Sequence, residues 1–213
     1  MKKEVSVVIL DYGVGNLYSL QKALNYIGVQ AHISASADAL QGATHIVLPG
    51  VGSFQAGMKG LYERALVDPL KKYATENKPI LGICLGAQLL LSKGYEFGEC
   101  DGLNIIAGKV IPFSSLADNE KIPHIGWNGI YPTHDTIWHD GICSDVSTAS
   151  QYYFVHSYIM QLAQLEDQYA LASYGGCEFC AIVRHGNMYG CQFHPEKSGE
   201  AGLEFIRNFI TIR

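Results

Sequence analysis

Short aliphatic runs at Val5–Leu10, Ile46–Leu48 and Lys78–Ile83 are separated by stretches with helical periodicity, and this alternation leaves few architectures open to the chain. Leu17, Leu20, Leu24 and Ile27 recur three or four residues apart, the spacing of one face of a helix. Asn16 suits the cap of that helix and Gly28 its end. A further strand is expected at Ala31–Ile33, and a helix over about Glu63–Glu76 leads into the run that ends at Ile83. Strand and helix in turn predict an α/β fold, a parallel sheet with helices on both faces.

Beyond residue 100 the pattern changes. Strand-like runs follow at Ile105–Ile111, Tyr152–Ser157, Ala170–Ser173, Cys180–Arg184 and Met188–Cys191, and a helix over roughly Glu200–Ile212 closes the chain. Gly175-Gly176 and Asn187 are turn signals between them, so antiparallel hairpins are expected beside the parallel core. No repeat or linker divides the 213 residues, which predicts one domain over 1–213. A net charge of −5 without a basic stripe lacks the footprint of nucleic-acid binding, and no run has the length of a membrane span. The Val5–Leu10 run is too short for a signal-peptide core, and six irregularly spaced cysteines fit a reducing compartment, so a cytoplasmic location is expected.

The chemistry concentrates in two distant segments, Gly82-Ile83-Cys84-Leu85-Gly86-Ala87-Gln88 and Gln192-Phe193-His194-Pro195-Glu196. With a strand before it and a helix expected over Leu85–Ser92, Cys84 falls on a strand-to-helix turn of the kind that lifts a nucleophile above a sheet. Helix N-termini favour thiolate, and Leu85 N–H in the first turn is free to bind an oxyanion. Gln88 follows one turn later on the same face. In an extended segment His194 and Glu196 point the same way, so the carboxylate can orient the imidazole as the acid of a serine triad does. A buried cysteine and a surface His-Pro-Glu turn are the bland reading of either segment alone; together they point to nucleophile, base and orienting acid. Ligands of open parallel sheets lie beyond the carboxyl ends of the strands, so Asp11–Asn16 and Pro49-Gly50-Val51-Gly52 should converge on Cys84.

These segments resemble class I glutamine amidotransferases. DYGVGNL at Asp11–Leu17, PHIGWN at Pro123–Asn128 and QFHPEKSG at Gln192–Gly199 narrow the resemblance to the HisH family, glutaminase subunits of imidazole glycerol phosphate synthase. It implies a flavodoxin-like α/β fold and a triad of Cys84, His194 and Glu196. It also implies oxyanion donors at Leu85 and in Val51-Gly52, and substrate contacts at Gly50, Gln88, Glu96, His156, Ser157 and Tyr158. Glu96 would receive the α-ammonium of L-glutamine and His156–Tyr158 its carboxylate. The partner implied is a (β/α)8-barrel cyclase of the HisF family, joined as a heterodimer with Asn16, Trp127, Tyr153 and Lys197 at or near the interface. No cofactor is implied.

Several features are weaker. The Asp11–Asn16 loop is no dinucleotide fingerprint, since Tyr18 occupies the last glycine position, and no Walker A pattern occurs. Cys177-Glu178-Phe179-Cys180 lacks a second pair and is expected to span a turn into a strand; His134, His139 and Cys143 are read as surface loop. Trp127 and Tyr153, without the motif, would be taken for core aromatics. Ala87, where methionine is frequent, and Cys191 leave open a paralogous branch that supplies ammonia for surface-sugar amidination. A stand-alone cysteine amidohydrolase and a silent regulatory subunit are further alternatives.

Overall fold

The computed structural model describes residues 5–113, 116, 120–133, 138, 141–144 and 146–213. Five strands, Ala31–Ser34, Val7–Leu10, His45–Leu48, Ile80–Ile83 and Met188–Cys191, lie side by side in that order and are all parallel. Alternate side chains leave opposite faces of the sheet. Val7 and Ile9 therefore pack with the helices Leu17–Tyr26 and Gly199–Thr211, while Val8 and Leu10 pack with Phe54–Glu63 and Val67–Thr75. The two apolar layers are the cores that the strand and helix alternation called for.

Antiparallel additions extend the sheet from Met188–Cys191. Cys177–His185 pairs with it across the Gly186–Asn187 turn, and Gln168–Tyr174 pairs with Cys177–His185 across Gly175–Gly176. Tyr158–Leu162 and Ile106–Pro112 continue outward. Separate from this sheet, His124–Gly129 and Gln151–His156 form a two-stranded antiparallel ribbon.

Several elements differ from the sequence reading. The helix expected over Glu63–Glu76 starts later and spans Val67–Thr75, because Ala65 adopts φ 52° and breaks the run, and a further helix, Phe54–Glu63, precedes it. The helix after Cys84 stops at Leu89, and Leu91–Gly94 pairs as a strand with Ile106–Pro112. Cys177 and Cys180 both lie on one strand as free thiols, directly after the glycine turn. Cys143 is buried in the core, whereas His134 and His139 lie outside the described residues. Among the described residues no helix is long and apolar enough to cross a membrane.

Candidate active site

Cys84 follows the strand Ile80–Ile83 with φ 52° and ψ −110°, and the helix Leu85–Leu89 begins at the next residue. Backbone strain of this sort costs on the order of 1–3 kcal/mol and persists only when the surroundings fix it. Here Cys84 N–H donates to the Cys191 carbonyl at 2.7 Å. The flanking glycines allow the close approach: a Cβ on Gly86 would stand 1.7 Å from the Leu48 carbonyl oxygen, and one on Gly82 would stand 2.6 Å from Ala87 Cα. A helix of five residues has a small macrodipole, so free N–H groups of its first turn, Leu85 among them, carry most of the local positive potential.

Cys84 opens into a cleft of about 400 Å³ at the carboxyl ends of the parallel strands. Val51, Gly52, Leu85, Gln88, Glu96, His156, Ser157, Tyr158 and His194 line it too. Most residues expected to contact substrate are thus gathered at one site. Gly50 is the exception, facing a small cavity behind the cleft beside Asn16, His194 and Glu196. A Cβ there would meet Tyr12 Oη at 2.6 Å and Leu85 Cβ at 2.8 Å, so Gly50 lets three loops close on one another. The Tyr12 hydroxyl donates to the Pro49 carbonyl, which ties the Asp11–Asn16 loop to Pro49–Gly52.

His194 leaves Cys191 in extended conformation, but Glu196 does not continue it. Pro195–Lys197 is a single 3-10 turn, and this turn folds the carboxylate back to 2.9 Å between His194 Nδ1 and Glu196 Oε1. Facing a carboxylate, Nδ1 carries the proton. The backbone is pinned on both sides: His194 N–H donates to the Tyr153 carbonyl at 2.8 Å, and Ser198 Oγ donates to the His194 carbonyl at 2.6 Å. Burial depresses the imidazole, yet the Cys84 sulfur and the Glu196 carboxylate outweigh it and raise His194 from 6.5 to about 9. Nε2 faces the Cys84 sulfur without a fully formed hydrogen bond among the described residues, and the sulfur raises the ring both as a hydrogen-bond acceptor and by its charge.

The rest of the cleft is fixed by chains of polar contacts. Gln88 Nε2 donates to the Tyr158 carbonyl at 3.3 Å and to Gln192 Oε1 at 3.0 Å, which leaves Gln88 Oε1 as an acceptor. Glu96 Oε2 accepts from Phe54 N–H at 2.8 Å, where the helix Phe54–Glu63 begins. Both nitrogens of His156 are engaged: Nδ1 donates to the Tyr158 carbonyl at 2.9 Å, so Nε2 must accept from His124 Nδ1 at 3.1 Å. Burial holds both imidazoles neutral, pulling His124 down to about 4 and His156 to about 3. The His156 side chain thus braces the Ser157–Tyr158 turn from behind.

Residues 8–212 match the family model for glutamine amidotransferase class-I. Imidazole glycerol phosphate synthase subunit HisH 1 of Legionella pneumophila (strain Lens) is 44% identical over 97% of this chain and 99% of its own. The HisH subunit of Caldanaerobacter subterraneus is 41% identical over 94% of this chain and 95% of its own. The chain belongs to the HisH family of class-I glutamine amidotransferases. PurLQS from Thermotoga maritima, 18% identical with a TM-score of 0.71 over 97% of this chain and 98% of that one, shares the fold.

In this HisH chain the four positions expected at the partner face divide in two. Trp127 is 54% exposed, stands edge-on to Tyr153 with ring centres 5.9 Å apart, and Lys197 Nζ lies 5.8 Å from the Tyr153 ring centre. Asn16 instead caps the helix Leu17–Tyr26, accepting from Ser19 N–H at 3.3 Å. The sequence reading missed Gln192, His124 and Ser198, all buried at the site. For Gln192 the signal was present, since it precedes His194 by two residues in a segment leaving a strand.

Proposed function

We propose that this chain is the glutaminase subunit of an imidazole glycerol phosphate synthase in histidine biosynthesis, hydrolysing L-glutamine to glutamate and ammonia. The observation that carries the reading is Cys84 on a strained elbow in one cleft with the His194–Glu196 pair. Cys84 thiolate attacks the side-chain amide carbon, and the oxyanion is met by Leu85 N–H and a donor from Val51-Gly52. Each such donor is worth roughly 3 kcal/mol of barrier. Collapse breaks the carbon–nitrogen bond, and imidazolium His194 gives its Nε2 proton to the departing ammonia. The neutral imidazole then takes a proton from water, whose oxygen cleaves the γ-glutamyl thioester and returns Cys84 as thiolate. Glu96 receives the α-ammonium, and the Gln88 Oε1 acceptor and the His156–Tyr158 turn complete the substrate site.

The ammonia passes to a (β/α)8-barrel cyclase of the HisF family, bound as a heterodimer in the cytoplasm, where it is used to make imidazole glycerol phosphate and an aminoimidazole ribotide. The whole chain serves as one amidotransferase domain. Glutamate release is the decisive measurement, made with the isolated chain and with a co-purified cyclase carrying its ligand. Turnover is low alone and rises steeply with the liganded partner; equal rates would refute the partner-dependent reading. Cys84→Ala removes turnover by more than about 10⁴-fold while the complex still assembles, and near-normal turnover would rule out Cys84 as the nucleophile.

A further inference from the structure

A buried side-chain amide connects the cleft wall to the reactive sulfur. Gln192 is fully buried, and its backbone is held by Gln192 N–H donating to the Ala181 carbonyl at 2.9 Å. The Tyr158 carbonyl can only accept, which fixes the Gln88 amide with nitrogen towards it and towards Gln192. Gln192 must therefore present oxygen to Gln88, and its Nε2 points at Cys84 Sγ, 3.6 Å away. Among the described residues that sulfur is the sole acceptor for Gln192 Nε2.

A neutral thiol is a weak acceptor, and leaving a buried amide donor on it is costly. A thiolate removes the cost, since hydrogen bonds to charged acceptors are about twice as strong as neutral ones. We infer that Gln192 is a positioning residue of the reaction: its Nε2 donates to the Cys84 sulfur and favours and aims the thiolate, while its Oε1 holds Gln88 with its own oxygen towards the substrate. The catalytic part of this inference rests on the glutaminase reading. The donor to sulfur does not, and the two separate in the test.

Alkylation by iodoacetamide reports the reactive sulfur without any glutamine. Gln192→Met conserves volume and removes the donor. At pH 7 the alkylation rate of Cys84, followed by mass spectrometry of its peptide, falls about tenfold, equivalent to ~1.4 kcal/mol. The deficit narrows as the pH of the alkylation is raised. Half-exposed Cys100 reacts at an unchanged rate in the same samples, and buried Cys143 and Cys180 stay protected if the fold is intact. An unchanged Cys84 rate, or a deficit independent of pH, overturns the proposal. Should the variant unfold, the wild-type protein decides: the Gln192 side-chain amide signal in ¹⁵N–¹H spectra shifts when Cys84 is alkylated, and an unmoved signal overturns the proposal too. In the complex the variant lowers kcat and raises KM for glutamine together. A wild-type complex that released no glutamate would sink the glutaminase reading while leaving the alkylation result standing.

Discussion

His194 is where burial and charge compete most directly. Desolvation favours the neutral ring, but Cys84 and Glu196 outweigh it and raise the group to about 9, so the imidazolium persists at neutral pH, as the acid the proposed reaction calls for. A histidine raised on folding contributes stability that is complete below its ordinary 6.5 and is lost as pH climbs towards 9. His124 and His156, depressed to about 4 and about 3, have the opposite sign and act only below that window. Chemical denaturation between pH 6.5 and about 8 therefore reports on His194 before the thiols of Cys143, Cys180 and Cys191, which burial raises, begin to ionise on unfolding. The wild type loses stability across this range, and Cys84→Ala, lacking the sulfur, loses distinctly less; parallel curves would show that Cys84 does not raise His194. Cys84 and His194 were both legible in the sequence, but the 3-10 turn that brings Glu196 to Nδ1 was not. Residues i and i+2 meet in an extended segment and in a tight turn alike, so spacing predicts the pair without its geometry.

Among the elements, the helix Phe54–Glu63 shows why part of the fold was hidden from periodicity. Gly57 and Gly60 fall inside it, and glycine in a helix interior costs about 1 kcal/mol relative to alanine, which dilutes the helical signal of Phe54, Met58 and Leu61. Packing supplies the reason for both. A Cβ on Gly60 would lie 2.0 Å from the Tyr12 carbonyl oxygen, and one on Gly57 would lie 2.9 Å from Leu89 Cδ1. The helix can approach the Asp11–Asn16 loop and the helix Leu85–Leu89 only without side chains at these positions. Gly60→Ala gains helix propensity yet should destabilise the protein by about 3 kcal/mol or more, because the obstacle is backbone. Tyr12 also anchors Pro49, so the damage should reach the Val51-Gly52 lip and lower glutaminase turnover in the complex. Urea denaturation with the midpoint unchanged or raised would refute the close-approach argument. The ribbon strand His124–Gly129 escaped notice on similar grounds, since Gly126 and Gly129 interrupt its pattern while its partner Gln151–His156 shows clean alternation.

At the scale of the molecule, that ribbon joins an outward surface to the reaction centre. Trp127 and Ile125 are exposed on one strand, directly opposite Tyr153 and Val155 on the other. The Tyr153 carbonyl receives His194 N–H, and the Val155 carbonyl lies 3.8 Å from Cys84 Sγ. A partner docked on the aromatic face would thus meet the same strand, Gln151–His156, whose carbonyls contact His194 and Cys84. The sequence held Trp127 and Tyr153 in its motifs, but their contact across a two-stranded ribbon needed the register of elements more than twenty residues apart. Trp127→Ala removes the outermost aromatic without touching the cleft. Thioester formation in the complex, measured as a glutamine burst or by Cys84 labelling with a glutamine analogue, should stay within about threefold of wild type. Ammonia transfer should instead become leaky, with glutamate released in excess over the cyclase product, if the partner docks on this face as proposed. A ratio of glutamate to product equal to wild type would place the seal between the two sites elsewhere, and a loss of thioester formation as large as the loss of transfer would make Trp127 part of the catalytic scaffold instead.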